Sequence, residues 1–221
     1  MNAVHLAKSA TLVLLTQLAV SAHAGRPLGT DDAGTVGAKT CQVESWIDRD
    51  TTGGFNKLVV SPACGLGDSF ELGLELARTV PDNGTSFDGT LALKWVNPEW
   101  KSGSLNWGAK FWHGTSNSRE TPNWVDTSAG VMGLLTWKAS EDVALHTNLG
   151  FTKDYASGNT EPLLNLAVSW SPMPALSLSA ERMSVRNNPG QFNLGARWWL
   201  KPDQLALDLT LGRNTDRKST V

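Results

Sequence analysis

Phe87-Asp-Gly-Thr-Leu-Ala-Leu-Lys-Trp95, Val131-Met-Gly-Leu-Leu-Thr-Trp137, Leu164-Asn-Leu-Ala-Val-Ser-Trp170 and Phe192-Asn-Leu-Gly-Ala-Arg-Trp198 follow one pattern. In each stretch alternate residues are apolar, and the last of that apolar set is a Trp. A period of two is the side-chain period of a β-strand, so each stretch has one apolar face and one mixed face. The mixed face carries Asp88, Thr90 and Lys94 in the first stretch and Asn193 and Arg197 in the last. An indole at the same end of every second strand suits a membrane boundary, because the ring is apolar while its N–H prefers the wet interface. The pattern predicts an all-β fold: an antiparallel, transmembrane, up-and-down β-barrel in which these four strands run toward the periplasm.

Working outward, Thr40 to Asp48 and Lys57 to Gly65 read as strands around the turn Thr51-Thr-Gly-Gly54. A turn centred between Thr52 and Gly53 sets Cys41 opposite Cys64, close enough for a disulfide in an oxidising compartment. Metal binding is the weaker use for the two thiols, which lack a nearby His. Pro62 cannot donate to a ladder and is expected at a bulge or a strand end. Ser69 to Ala77 alternates Phe70, Leu72, Leu74 and Leu76 with Glu71 and Glu75, and carboxylates are costly against lipid, so the Glu face points inward. Ser104 to His113 sets Trp107 outward and Lys110 inward, and Gly114 to Thr127 reads as a long outer loop. Val143 to Thr152, Ala175 to Val185 and Gln204 to Gly212 bring the strands to eleven, and Arg217 to Val221 opens a twelfth that is too short to span. About twelve strands are expected, with short turns after the Trp ends and the longest connection opposite.

The 19 basic and 21 acidic residues leave the chain nearly neutral, which gives no reason to expect a nucleic-acid partner. No apolar run reaches the ~18 residues of a spanning helix. The slightly negative mean hydropathy is compatible with strands that are apolar on one side only. Met1 to Ala24 reads as a secretory signal, with Lys8, an apolar stretch from Ala10 to Val20, and the cleavage pattern Ala22-His23-Ala24. Residues 25–39 read as a coil, periplasmic or lumenal, and residues 40–221 as the barrel. The polarity of the coil favours a solvated acidic pair or an Asx-turn at Asp31-Asp32 over a segment folded into the lumen.

Arg26-Pro-Leu-Gly-Thr-Asp-Asp-Ala-Gly-Thr35, with Cys41-Gln-Val-Glu-Ser-Trp46 and Pro62-Ala-Cys-Gly65, resembles the meta-pathway phenol-degradation family of bacterial outer-membrane proteins. The resemblance implies a small outer-membrane barrel with a transport role. It implies no particular substrate and no catalytic residues.

The expected lumen-lining set is Glu44, Glu71, Glu75, Asp88, Lys94, Lys110, His146, Glu181, Arg197 and Asp208. Buried charges must be paired or hydrated, so these residues line a wet channel or fill the lumen with salt bridges. Trp95, Trp107, Trp137, Trp170 and Trp198 are the expected membrane girdle. His146 reads as a hydrogen-bonded wall residue, and His113 sits near the outer rim. Neither has a hydrolase spacing, so no catalytic residue, metal or cofactor is assigned and an enzyme is not expected. The sequence points to the bacterial outer membrane, to outer-membrane lipid and a small solute as partners, and to a narrow passage for small solutes, aromatic or hydrophobic ones included. The alternatives are a closed, non-conducting barrel with a structural or partner-binding role and, further off, an outer-membrane hydrolase. A soluble β-sandwich would expose the whole Leu–Trp band to water.

Overall fold

The computed structural model describes residues 28–50, 54, 56–80, 84–98, 104–188 and 190–215. The expected signal sequence (1–24), the tip of the first turn (51–53) and the start of a twelfth strand (217–221) lie outside the described residues.

The two-residue alternation becomes eleven strands: β1 (Cys41–Arg49), β2 (Asn56–Gly65), β3 (Phe70–Val80), β4 (Ser86–Val96), β5 (Leu105–Ser118), β6 (Val125–Lys138), β7 (Val143–Asp154), β8 (Thr160–Met173), β9 (Leu176–Val185), β10 (Gly190–Lys201) and β11 (Leu205–Thr215). They form one antiparallel up-and-down sheet in chain order, each strand hydrogen-bonded to the next. Register follows the pleat. In β3, for example, Leu72, Leu74 and Leu76 are exposed while Glu71, Gly73 and Glu75 between them are more enclosed. A one-residue slip would exchange these faces along the strand, which is why the pattern fixes the pairing.

The first hairpin has the expected register, with Cys41 opposite Cys64 and Arg49 opposite Asn56. The two cysteines form a disulfide with Cα atoms 4.1 Å apart. Pro62 departs from expectation. It lies inside β2, paired with Val43 in an unbroken ladder to β1. The ladder to β3 instead passes from the Val60–Leu76 pair to the Ala63–Gly73 pair, so the missing N–H is tolerated where that ladder lapses.

Residues 114–127 are not one long loop. β5 continues to Ser118 and β6 begins at Val125, so only 119–124 connect them. A bulge at Gly114/Thr115 absorbs the register shift, and backbone pairing continues through side chains too polar to show an apolar rhythm. The longest interval between strands is 97–104, at the Trp end and not opposite as expected, although the remaining Trp-end intervals, 66–69, 139–142, 174–175 and 202–204, are short as expected.

The sheet is strongly curled. Laid flat, nine inter-strand steps would separate β1 from β10 by about 43 Å. Yet Arg197 of β10 and Glu44 of β1 lie 3.9 Å apart. Among the described residues the ladder order still begins at β1 and ends at β11, so the fold is a curled, barrel-like sheet with an open seam bridged by side chains. The apolar residues face outward on nearly every strand, among them Ile47, Leu91, Phe111, Leu149, Leu166, Leu194 and Leu209. The enclosed side is mostly polar. Its apolar part is a small cluster of Ala33, Met132, Leu134 and Leu163, with Trp112 and Val185 packed against it.

Candidate functional site

The concave side of the sheet holds the chain's own N-terminal segment. Residues 28–40 precede β1, which starts at the Trp end of the sheet. Gly37 (φ 85°) and Lys39 (φ 58°) turn the chain back on itself, using backbone conformations that an ordinary L-residue avoids. Ala38 bridges Gly65 of β2, and Gly65 has no side chain because a Cβ there would collide with the Gly37 carbonyl.

Beyond that turn, Thr30-Asp-Asp-Ala33 is anchored residue by residue. Thr30 donates its N–H (2.7 Å) and its hydroxyl (2.8 Å) to Glu181 Oε2, while Gly29 N–H donates to Oε1 (2.8 Å). Asp31 exchanges two backbone bonds with the fully buried Asn148, its N–H donating to Oδ1 (2.9 Å) and its carbonyl accepting from Nδ2 (2.8 Å). Lys110 Nζ donates to the Asp31 carboxylate at 2.7 Å, and Lys94 lies 3.4 Å from Asp31 and 3.6 Å from Asp32. Ala33 N–H donates to Thr136 Oγ1 (2.9 Å), and its methyl group enters the small apolar cluster. Val36 N–H donates to Glu71 Oε2 (2.9 Å). The segment therefore docks against the concave face, contrary to the solvated tail favoured by composition, while the Asx-turn is present. Asp32 Oδ1 accepts from Gly34 N–H at 3.0 Å and its side chain is half-exposed, with Asp31 the enclosed member of the pair. A polar coil is stable inside because the wall supplies a partner for its backbone and its charges.

These contacts set the charge state of the segment. Burial works against the Asp31 carboxylate, but Lys110 and Lys94 outweigh it and lower its pKa from 3.8 to about 2. Lys94 also lies 3.8 Å from Glu71, which completes a cluster of two ammoniums and three carboxylates between the segment and β3–β5.

The other expected wall residues divide into smaller groups. Arg197 makes a two-pronged bond to Asp208, Nε to Oδ1 at 2.8 Å and Nη2 to Oδ2 at 2.6 Å, and reaches Glu44 across the seam. Glu181 accepts from Asn193 as well as from the segment. Glu75 pairs with Lys57 at 3.8 Å, apart from the central cluster, and Asp88 accepts from Thr79 at 3.5 Å. His146 sits between two hydroxyls, Thr136 Oγ1 at 3.0 Å and Ser169 Oγ at 3.1 Å. His113 lies on the exposed side, bonded to Asp126 at 2.9 Å. Trp107, Trp137, Trp170 and Trp198 are exposed on the outward face, and Trp95 packs edge-on against Trp107 with ring centroids 5.2 Å apart.

Several residues that matter here were not in the expected lumen-lining set, namely Asn148, Thr136, Asn193, Trp46 and Trp112. Their inward alternation was legible, but their partner was not, because the coil they hold has no periodicity to align. Beside the docked segment a cavity of about 370 Å³ remains, walled by Gln42, Trp46, Glu71, Thr90, Lys110 and Trp112 among others. Gln42 Oε1 is buried there without a hydrogen-bond partner among the described residues.

This geometry defines a class: an all-β, barrel-like protein with an apolar outer face and a polar interior occupied by its own N-terminal segment. The chain belongs to the family described as Uncharacterised conserved protein UCP029691, whose model matches residues 10–220. That description names no activity and no tie to phenol-degradation proteins. No curated protein matches the chain.

Proposed function

We propose that this protein is an outer-membrane β-barrel that gives small solutes, aromatic ones included, a narrow passage partly closed by residues 28–38. The observation that carries the proposal is the cavity left between the docked segment and the wall. Its volume falls within the range of small-molecule sites, about 300–1,000 Å³. Trp46 and Trp112 offer aromatic faces and Lys110 offers a cation. The outward band of Leu, Phe and Trp supports placement in lipid, because soluble proteins rarely expose continuous apolar surface on this scale.

A closed, non-conducting barrel is the second reading, favoured by the number of wall residues that hold the segment. Efflux from liposomes carrying the refolded protein separates the two, with small sugars and aromatic acids compared. Release of an aromatic acid faster than a sugar, accelerated by Asp31→Asn, is the expected result. Vesicles that hold both solutes, with and without that substitution, would reject the passage and leave the closed barrel.

A further inference from the structure

A second feature of the outward face lies at the end away from the tryptophans. Arg49, Arg78, Lys153, Arg182 and Arg213 stand within the last few residues of β1, β3, β7, β9 and β11, and all five are exposed. Each is the next member of its strand's outward apolar row, after Ile47, Leu76, Phe151, Ala180 and Leu211 respectively. The carboxylates of these strands mostly point the other way, as with Glu44, Glu71, Glu75, Glu181 and Asp208, while Asp154 ends β7 and accepts from Ser157 N–H. The outward acid at this end, Asp126, is bonded to His113 on β5. Among the described residues none of the five cations has a carboxylate partner.

From this we infer that the five cations form a belt that binds the phosphate groups of anionic lipid headgroups in the leaflet at this end. The inference rests on the membrane reading above and adds a partner to it. The spacing fits. Arg182 lies six residues beyond Leu176, which pairs with Trp198, and Arg78 lies eight beyond Phe70, which pairs with Trp95. Six to eight residues are about 20–27 Å along a strand. A tilt of about 40° reduces this to about 15–20 Å of height, and long basic side chains reach outward by several more, approaching the ~25 Å apolar band of such barrels.

Arg182 and Arg213, which both pair with Phe192, stand about 10 Å apart, and Arg49 and Arg78, two residues out of level across β2, about 12 Å apart, so that adjacent phosphates can each meet one. Lys153 stands alone between these two pairs, about 20 Å from either. Aromatic rings lie beside them as at a lipid interface. Phe192 is flanked by Arg182 and Arg213, Phe87 faces Arg78, and Lys153 sits 5.1 Å from the Tyr155 ring. Guanidinium groups suit this role because their fork bonds two phosphate oxygens at once.

The test folds the protein from urea into vesicles of phosphatidylcholine alone, or of phosphatidylcholine mixed equally with phosphatidylglycerol. The parent is compared with a variant carrying Arg49→Gln, Arg78→Gln, Lys153→Gln, Arg182→Gln and Arg213→Gln. For the parent, the folding equilibrium constant should be about tenfold or more higher in the anionic vesicles, and the gain should vanish in high salt. The variant should fold equally in both vesicles, and as well as the parent in the neutral one. An anionic preference equal in parent and variant would overturn the belt alone. Failure of both proteins to enter either vesicle would overturn the membrane reading and the belt with it.

Discussion

Replacing Asp31 by Asn removes the charge that holds the N-terminal segment against β4 and β5, and leaves its shape almost unchanged. The carboxylate sits 2.7 Å from Lys110 and 3.4 Å from Lys94. Its pKa falls from 3.8 to about 2 on docking. Each unit is tenfold in the equilibrium, or ~1.4 kcal/mol, so neutralising this group costs between about 2 and 3 kcal/mol of docking, or roughly a 60-fold shift in the docked-to-open ratio. The backbone bonds to Asn148, Glu181 and Thr136 survive the change, so most molecules stay docked. Cleavage within residues 28–38 by a non-specific protease reads the open population when opening and closing are fast. Asp31→Asn should raise that cleavage rate roughly 60-fold at neutral pH.

The pH dependence has a definite sign. The docked pKa lies below the undocked one, so the stabilisation is complete above about pH 4 and is lost as pH falls toward 2. Peptic cleavage of the parent segment should rise across that window, and in Asp31→Asn this step should be missing. A substitution that leaves cleavage within about threefold of the parent's would refute the charge argument, because it would mean that the backbone bonds alone hold the segment.

Other changes probe the frame around the segment. Arg197→Met should strand Asp208 and Glu44 beside the seam and lower the urea midpoint by an amount equivalent to about 3 kcal/mol, while the double change Arg197→Met with Asp208→Leu should recover much of it. Reducing the Cys41–Cys64 bridge, or replacing both cysteines by Ser, should cost about 3 kcal/mol in the same assay, given a sequence separation of 23. Gly65→Ala should drive the Gly37 carbonyl away from β2 and raise protease access to residues 28–38, with little effect on the spectrum of the strands. Gly130→Ala should clash with the Trp112 ring on the opposing strand and shift the tryptophan emission.

The eleven strands were legible because each carries its own signal: the pleat imposes a period of two, and an apolar outer face repeats it along the chain. The same rhythm placed the five tryptophans expected at a girdle outward and the ten charged or His residues expected along the wall inward. A hairpin is a local object, so the turn centred between Thr52 and Gly53 was enough to set Cys41 opposite Cys64. The signal failed where side chains are polar on both faces, as in Thr115 to Ser118, since backbone pairing needs no apolar alternation. Pro62 misled for a related reason: it lacks one N–H, and a strand can lose one ladder contact and continue.

Only the tertiary structure decided what fills the interior. The Thr30-Asp-Asp-Ala33 tetrapeptide is a polar coil by itself, and its partners Glu181, Asn148, Lys110, Lys94 and Thr136 come from five different strands. Their meeting depends on the curl of the sheet, which also brings Glu44 near the first strand's start to Arg197 near the tenth strand's end. Curl is a cumulative property of many strand pairs and leaves no mark on any single stretch of residues. The sequence by itself therefore determined which face each residue takes, and the curl of the sheet determined which inward residues meet.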